Sequence, residues 1–234
     1  MVDTPQSALA ARRTYPRALI VLAAVWLALW LLASSPANAK TKKHSSREKN
    51  VDATFSLELG PPETTLPATQ TITLLVPKGI RDAGAKLPFC NPASLESRGE
   101  QACPKGSQIG SGTSTGYTLG VVEPLKLLLY NGPGGTLLTY VVGLDPVSIQ
   151  TVVSGSVSKP GGSYGQQFSF TIPHGLLEPL PEDQAWLLTL HAHVLGKSGW
   201  LRSTSCPPHG WSFQARFGYT NGQTITIGAS AECQ

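Results

Sequence analysis

The chain has 234 residues, a formal net charge of +4 at pH 7 and only 14% charged residues. The positive charge lies near the N-terminus, because residues 51–234 hold ten Lys and Arg against twelve Asp and Glu, a net charge of −2. Nucleic-acid binding requires a basic surface on the folded domain, so this balance excludes nucleic acid as a partner. The length of 51–234 is typical of one domain with a substantial core.

Residues 1–39 have the layout of an export signal. Basic residues precede a 16-residue apolar stretch at 18–33, and an Ala-Asn-Ala cleavage signal follows it. The apolar stretch is shorter than the roughly 20 residues of a typical spanning helix. We therefore predict cleavage between Ala39 and Lys40, and a protein that is secreted or held at the cell surface. The alternative is an uncleaved N-terminal helix that anchors the domain in the membrane.

Residues 40–50 read KTKKHSSREKN, with five basic residues, one Glu and no apolar side chain. Such a segment cannot bury apolar surface, which predicts a disordered tether. Its simplest role is to space the domain from the membrane or wall. The sharper hypothesis is contact with a cell-wall polymer or an anionic membrane surface, to which each basic residue contributes about 1 kcal/mol.

Residues 51–234 are predicted to form a single all-β domain. Short apolar runs alternate with turn residues, and no segment repeats apolar residues at helical spacing over three turns. Alternation in 166–172 places Phe168, Phe170 and Ile172 on one face, whereas 125–129 is a continuous apolar run whose two faces should both be covered. The expected fold is an antiparallel β-sandwich, Greek-key or immunoglobulin-like. The predicted strands are 53–59, 70–76, 109–119, 125–130, 136–142, 147–157, 166–172, 186–195, 211–219 and 223–229.

The last two predicted strands determine their own register. A two-residue Asn-Gly turn would set Phe217 opposite Thr226, whereas a three-residue loop at 220–222 sets Phe217 opposite Ile225. The second register pairs apolar residues along one face. It also puts Gly222 where the loop needs a left-handed residue, so we predict the three-residue loop.

Four cysteines in an exported chain predict two disulfides. Pairing of sequence neighbours gives Cys90–Cys103 and Cys206–Cys233, each contributing about 3 kcal/mol in the chain-entropy model. The hairpin register also brings Cys233 toward Cys206. A zinc site is disfavoured, because neither pair has the short spacing of zinc ligands. The first pair lies in 87–112, which has no helical or strand period and is expected to be a long loop.

No catalytic motif fits its surroundings, so we predict neither catalytic residues nor a cofactor. Residues 112–116 match G-x-S-x-G, but a nucleophile elbow needs a following helix, and strand-like residues follow here. His191 and His193 are weak candidates for metal ligands, since residues two apart in a strand project from one face. We favour the simpler interpretation, a solvated strand face opposite Leu190, Ala192 and Val194.

Four segments stand as landmarks along residues 50–234. They are LPFCNPASLE, ACPKGSQIGSGT, YNGPGGTLLTYV and SCPPHGWSFQARFGYTNGQ, followed by a cysteine near the C-terminus. With their paired cysteines and Cys-Pro-Lys-Gly-Ser motif, they resemble a family of exported proteins from soil actinobacteria. The resemblance implies secretion and a β-rich fold, and it supplies no catalytic residue.

The sequence thus favours a non-enzymatic, disulfide-stapled β-sandwich that binds a ligand or serves the cell envelope. One alternative is a secreted hydrolase or metal-dependent enzyme that uses His191 and His193. Another is a carbohydrate-binding module, which needs an exposed aromatic platform. Trp200, in a predicted loop between Gly199 and Leu201, is the best candidate for that platform.

Overall fold

The computed structural model describes residues 48–59, 67–144, 147–181 and 183–232. The predicted export signal and the cleavage site between Ala39 and Lys40 lie outside these ranges, so both stay predictions. Within the ranges, no helix is long and apolar enough to cross a membrane. The strands are β1 Lys49–Asn50, β2 Ala53–Glu58, β3 Thr69–Pro77, β4 Ile80–Asp82, β5 Gln108–Thr118, β6 Val121–Asn131, β7 Leu137–Gly143, β8 Ile149–Ser158, β9 Tyr164–Thr171, β10 Trp186–Val194, β11 Leu201–Ser203, β12 Trp211–Tyr219 and β13 Thr224–Ala231. The α-helices are α1 Pro92–Arg98 and α2 His174–Leu177, and short 3-10 turns occur at Gly84–Lys86, Glu100–Ala102, Pro133–Gly135 and Gly196–Ser198.

The predicted β-rich, antiparallel architecture is confirmed. All ten predicted strands are present, and they form one ten-stranded sheet in the order β13-β12-β3-β9-β8-β7-β6-β5-β10-β2. Strands β5 to β9 follow one another directly, and every pairing in the sheet is antiparallel. A second sheet, β1-β11-β4, was not predicted, because strands of two or three residues are too short to show alternation.

The predicted disordered tether extends too far into the chain. Lys49 and Asn50 form β1, which pairs antiparallel with β11. Glu48 holds this end in place, since its carboxylate accepts a hydrogen bond from Arg81 Nη2 at 2.6 Å and lies 3.7 Å from Arg202 Nη1. Those guanidinium groups lower the pKa of Glu48, the Arg81 hydrogen bond contributing most. The one acid in the basic segment is therefore part of the folded domain, and the domain begins by Glu48 instead of residue 51.

The predicted register of the C-terminal hairpin is confirmed. Phe217 pairs with Ile225 across β12 and β13, and Trp211 pairs with Ala231. The Tyr219 amide donates to the Gln223 carbonyl at 2.9 Å, which closes the three-residue loop. Gly222 lies in the loop with φ of 82°, the left-handed conformation that the loop requires.

The segment 87–112 was wrongly expected to be a loop throughout, because it contains α1. The Asn91 side chain caps this helix by accepting a hydrogen bond from the Ser94 amide at 3.1 Å, and Pro92 occupies the first turn. The Cys90–Cys103 disulfide is present and brackets the helix. Cys90 and Leu95 are both fully buried, in a cluster formed with the outward-facing side chains of β6, β7 and β8. This cluster covers the second face of the continuous apolar strands, as predicted.

The inward-facing side chains of the large sheet form the remaining core. One of its clusters joins Leu57 of β2 to Ala215 and Phe217 of β12. Strands β2 and β12 lie near opposite ends of the strand order. The two ends of the sheet therefore share one apolar core.

Candidate functional site

The inner face of the large sheet lines a cavity of about 600 Å³ that is partly open to solvent. Every one of the ten strands contributes lining residues, and α2 and Trp200 contribute further ones. We call this space the cavity and the sheet surface that lines it the inner face. Representative apolar lining residues are Phe55, Ile72, Leu127, Leu129, Val141, Val153, Phe168, Phe170, Leu190, Val194, Phe213 and Ile227.

Strand alternation explains why the walls are apolar. On β6, Leu125, Leu127 and Leu129 line the cavity, and the residues between them project from the other face. On β9, Phe168 and Phe170 line it, as the predicted alternation of 166–172 requires. Side chains from facing parts of the sheet thus present hydrocarbon to a common space.

Polar residues also line the cavity, and Glu123 is a buried acidic residue among them. It lies on β6 in line with the three lining leucines and is only 1% exposed. Its Oε2 accepts a hydrogen bond from the Val147 amide at 3.1 Å, whereas its buried Oε1 has no hydrogen-bond partner among the described residues. A buried polar group normally has such a partner, since leaving it unpaired is unfavourable.

A glycine on the neighbouring strand makes room for the Glu123 carboxylate. Gly143, the last residue of β7, has no side chain, and a Cβ built there would lie 2.6 Å from Glu123 Oε1. The carboxylate therefore packs directly against the backbone at the end of β7.

Trp200 is not an exposed platform, which corrects its assignment as a carbohydrate-stacking residue. It is 1% exposed, and its ring centroid lies 5.4 Å from that of Phe168. Its indole Nε1 donates to Asn131 Oδ1 at 3.0 Å. Trp200 is buried because it directly precedes β11, and β11 pairs with β4 in the second sheet. Trp200 instead forms part of the cavity wall.

The two histidines lie on the outer face of β10. Leu190, Ala192 and Val194 line the cavity, so His191 and His193 project away from it. His193 Nε2 contacts Asp52 Oδ1, and the Gly196 amide donates to Asp52 Oδ2 at 3.0 Å. The Gly196 hydrogen bond and then the His193 contact hold the pKa of Asp52 below its ordinary value. This arrangement links the start of β2 to the end of β10.

A metal site and a serine nucleophile find no geometric support in the described ranges. No three His, Cys, Asp or Glu side chains there are grouped closely enough to hold a metal ion. Ser114, in the G-x-S-x-G match, lies within strand β5, is 3% exposed and donates to the Thr189 carbonyl at 2.7 Å. The second predicted disulfide, Cys206–Cys233, includes a residue outside the described ranges and stays a prediction.

Glu123 was missed as a candidate because the predicted strand began two residues after it. The signal was present, since Glu123, Leu125, Leu127 and Leu129 alternate along one strand and a Glu at an inward position is unusual. Asn131, which accepts the indole hydrogen bond of Trp200, was likewise missed, because it lies one residue beyond the predicted strand 125–130.

Comparison with known proteins yields no relative. No family model, curated protein or solved structure matches this chain.

Proposed function

We propose that this chain is an exported, non-enzymatic binding protein that takes up a single long hydrocarbon chain in the cavity. The observation that carries the proposal is the cavity of about 600 Å³ with inner-face walls of aliphatic and aromatic side chains. Small-molecule sites are mostly apolar spaces of about 300–1,000 Å³ with a few placed polar groups.

The size of the cavity indicates the size of the ligand. At about 30 Å³ for each water-sized atom, 600 Å³ corresponds to about 20 non-hydrogen atoms. That number fits one long acyl or alkyl chain. An apolar cavity of 600 Å³ without contents would cost on the order of 10 kcal/mol, comparable with the whole free energy of unfolding of a domain. Hydrocarbon offsets this cost better than water, because water needs polar partners.

The same proposal includes a finer description of the fold. We infer that the ten-stranded sheet folds over on itself as an antiparallel β-sandwich, with the cavity between its two layers. The shared core of Leu57 from β2 and Phe217 from β12 supports this arrangement. So does the lining contributed by the edge strands β2 and β13, in the form of Phe55 and Ile227.

Export is part of the proposal and rests on the N-terminal sequence. A cleaved signal ending at Ala39 would release the domain outside the cytoplasm, as in the actinobacterial family that the landmarks resemble. Outside the cytoplasm, the lipids of the cell envelope are a source of long-chain ligands. The basic segment that begins at Lys40 would keep the domain near an anionic surface.

Fluorescence titration with the apolar dye N-phenyl-1-naphthylamine tests the proposal. We expect saturable binding of one dye per chain. Ala192→Trp should weaken it at least about tenfold, because Ala192 lines the cavity and the larger ring occupies part of its volume. The control is His191→Trp, which puts the same ring on the outer face of the same strand and should leave dye binding unchanged.

Ala229→Trp is a second variant for the case that Ala192→Trp does not fold. Ala229 lines the cavity from the exposed edge strand β13, where a large side chain is tolerated more easily. Circular dichroism verifies the fold of each variant. Equal dye binding by Ala192→Trp, His191→Trp and the unmodified protein would refute the proposed cavity.

A further inference from the structure

We propose that Glu123 recognises the terminal group of the ligand, and that this group is a hydrogen-bond donor such as the hydroxyl or ammonium of a long-chain alcohol or amine. This inference rests on the proposed function, because it assumes that a hydrocarbon chain occupies the cavity. It adds the chemical class of the ligand, which the apolar walls leave undetermined.

The first argument is the position of the carboxylate. Glu123 shares its side of β6 with Leu125, Leu127 and Leu129, so it projects toward the same space as they do. It lies two residues from the start of β6, at the end of the cavity nearest the β5–β6 turn. A ligand whose chain lies along the leucines therefore meets Glu123 with one end.

The second argument is the unused hydrogen-bonding capacity. The Val147 amide occupies Oε2 at 3.1 Å, and Oε1 is buried without a partner among the described residues. The salt bridges found in those residues do not include Glu123. A carboxylate oxygen accepts hydrogen bonds, so the group that satisfies Oε1 must donate one.

The third argument is the charge of the terminal group. Gly143 lets the Glu123 carboxylate pack against the end of β7, because a Cβ at position 143 would lie 2.6 Å from Oε1. A fatty acid would bring a second carboxylate to this buried group, and two like charges at a buried site repel each other.

Calorimetric titration with dodecanol, dodecylamine and dodecanoate tests this inference, since the three ligands share one chain and differ at its end. We expect the unmodified protein to bind the alcohol and the amine about ten- to hundredfold more tightly than the acid, the range for a hydrogen bond to a charged group. Glu123→Gln keeps the shape and an acceptor for the Val147 amide. The substitution should weaken dodecylamine binding at least about tenfold. It should also reduce the difference in affinity between dodecylamine and dodecanoate.

Glu58→Gln is the matched control, because Glu58 is an exposed glutamate on β2 of the same sheet and should leave all three affinities unchanged. Glu123→Asp is a second variant that keeps the charge and withdraws the carboxylate from the ligand. It should weaken amine binding about tenfold, by loss of the same hydrogen bond. Equal affinities for the three ligands, unchanged in both Glu123 variants, would overturn the role of Glu123 while leaving the cavity as a hydrocarbon site. Failure of all three ligands and of the apolar dye to bind would overturn the proposed function itself.

Discussion

At the scale of single residues, Asn131 connects three parts of the molecule. It is fully buried at the end of β6, and its Nδ2 donates to the carbonyls of Gly84 at 2.9 Å and Pro88 at 3.0 Å. Its Oδ1 accepts the indole hydrogen bond from Trp200. The amide group of one side chain thus ties the segment before α1 and the Trp200 wall of the cavity to the large sheet.

Asn131→Ala is expected to lower the free energy of unfolding by about 3 kcal/mol or more, because several buried hydrogen bonds are lost together and their partners stay buried. Asn221→Ala provides the control. The Asn221 side chain accepts one hydrogen bond from the Gln223 amide in an exposed turn, so its loss should cost about 1 kcal/mol or less. Urea unfolding measures both, and equal losses would contradict the connecting role of Asn131.

Because of Tyr130, the neighbour of Asn131, we expect the free energy of unfolding to fall at alkaline pH. Burial, with the charges of Glu100 and Tyr140, raises the pKa of Tyr130 from 10.0 to about 12. Since the folded state raises the pKa of Tyr130, it binds the hydroxyl proton more tightly than the unfolded state does. The contribution of Tyr130 to stability is therefore complete below pH 10 and is lost as the pH rises toward 12. The free energy of unfolding should fall by about 1.4 kcal/mol between about pH 9 and pH 11 through this group.

Tyr130→Phe should remove this part of the alkaline loss in urea unfolding. Burial raises the pKa of Tyr219 as well, so a smaller loss of the same sign should persist in the variant. An unmodified protein that unfolds with the same free energy at both pH values would contradict the burial of the Tyr130 hydroxyl.

The residues that matter most to the site were hardest to predict. Glu123 and Asn131 stand at the two ends of β6, just outside the predicted strand 125–130. A polar residue beside an apolar run is usually assigned to a turn. Whether it is buried depends on neighbours far away in sequence, such as Val147 for Glu123 and Trp200 for Asn131.

At the scale of secondary-structure elements, local sequence patterns were enough to predict most of the strands. All ten longer strands were predicted, because alternation and turn residues are local properties of the sequence. The register of β12 and β13 followed from one glycine and the apolar pairs. Helix α1 was missed, since seven residues make only about two turns and show no period. Its Asn91-Pro92 start was a readable signal.

Gly222→Ala is expected to lower the free energy of unfolding by about 1–2 kcal/mol, because alanine at a φ of 82° is strained. No atom lies within 4 Å of a Cβ added there, so the loss comes from the backbone alone. Gly175→Ala in α2 is the control, since a Cβ there also meets no atom within 4 Å and φ is not positive. It should be neutral or slightly stabilising. A Gly222→Ala protein as stable as the control in thermal unfolding would contradict the three-residue loop.

At the scale of the whole molecule, the sequence predicted the class of fold but not the cavity. Alternating apolar residues are found equally in a filled core and in a cavity wall. The difference depends on how far apart the facing parts of the sheet lie, which is decided by contacts between distant residues. The hydrogen bond between Asn131 and Trp200, which lie 69 residues apart, is one contact of this kind.

The cavity also gives the whole chain a consistent interpretation. The Cys90–Cys103 segment covers the outer faces of the central strands, while their inner faces line the cavity. His191 and His193 project from the outer face, and the contact of His193 with Asp52 joins β10 to the start of β2. The described parts of the chain therefore agree with the proposed binding of an apolar molecule, with a buried acidic group at Glu123.

The most direct test of the cavity as a hydrocarbon site is a calorimetric measurement on the purified domain. It determines the affinity for a series of primary alcohols of increasing chain length. Each added methylene should improve affinity about fourfold, corresponding to about 0.8 kcal/mol of buried hydrocarbon. The gain should stop at about 20 non-hydrogen atoms, when the cavity is full, with one alcohol bound per chain throughout. Affinity that does not change with chain length, or several molecules bound per chain without saturation, would contradict the cavity as the functional site.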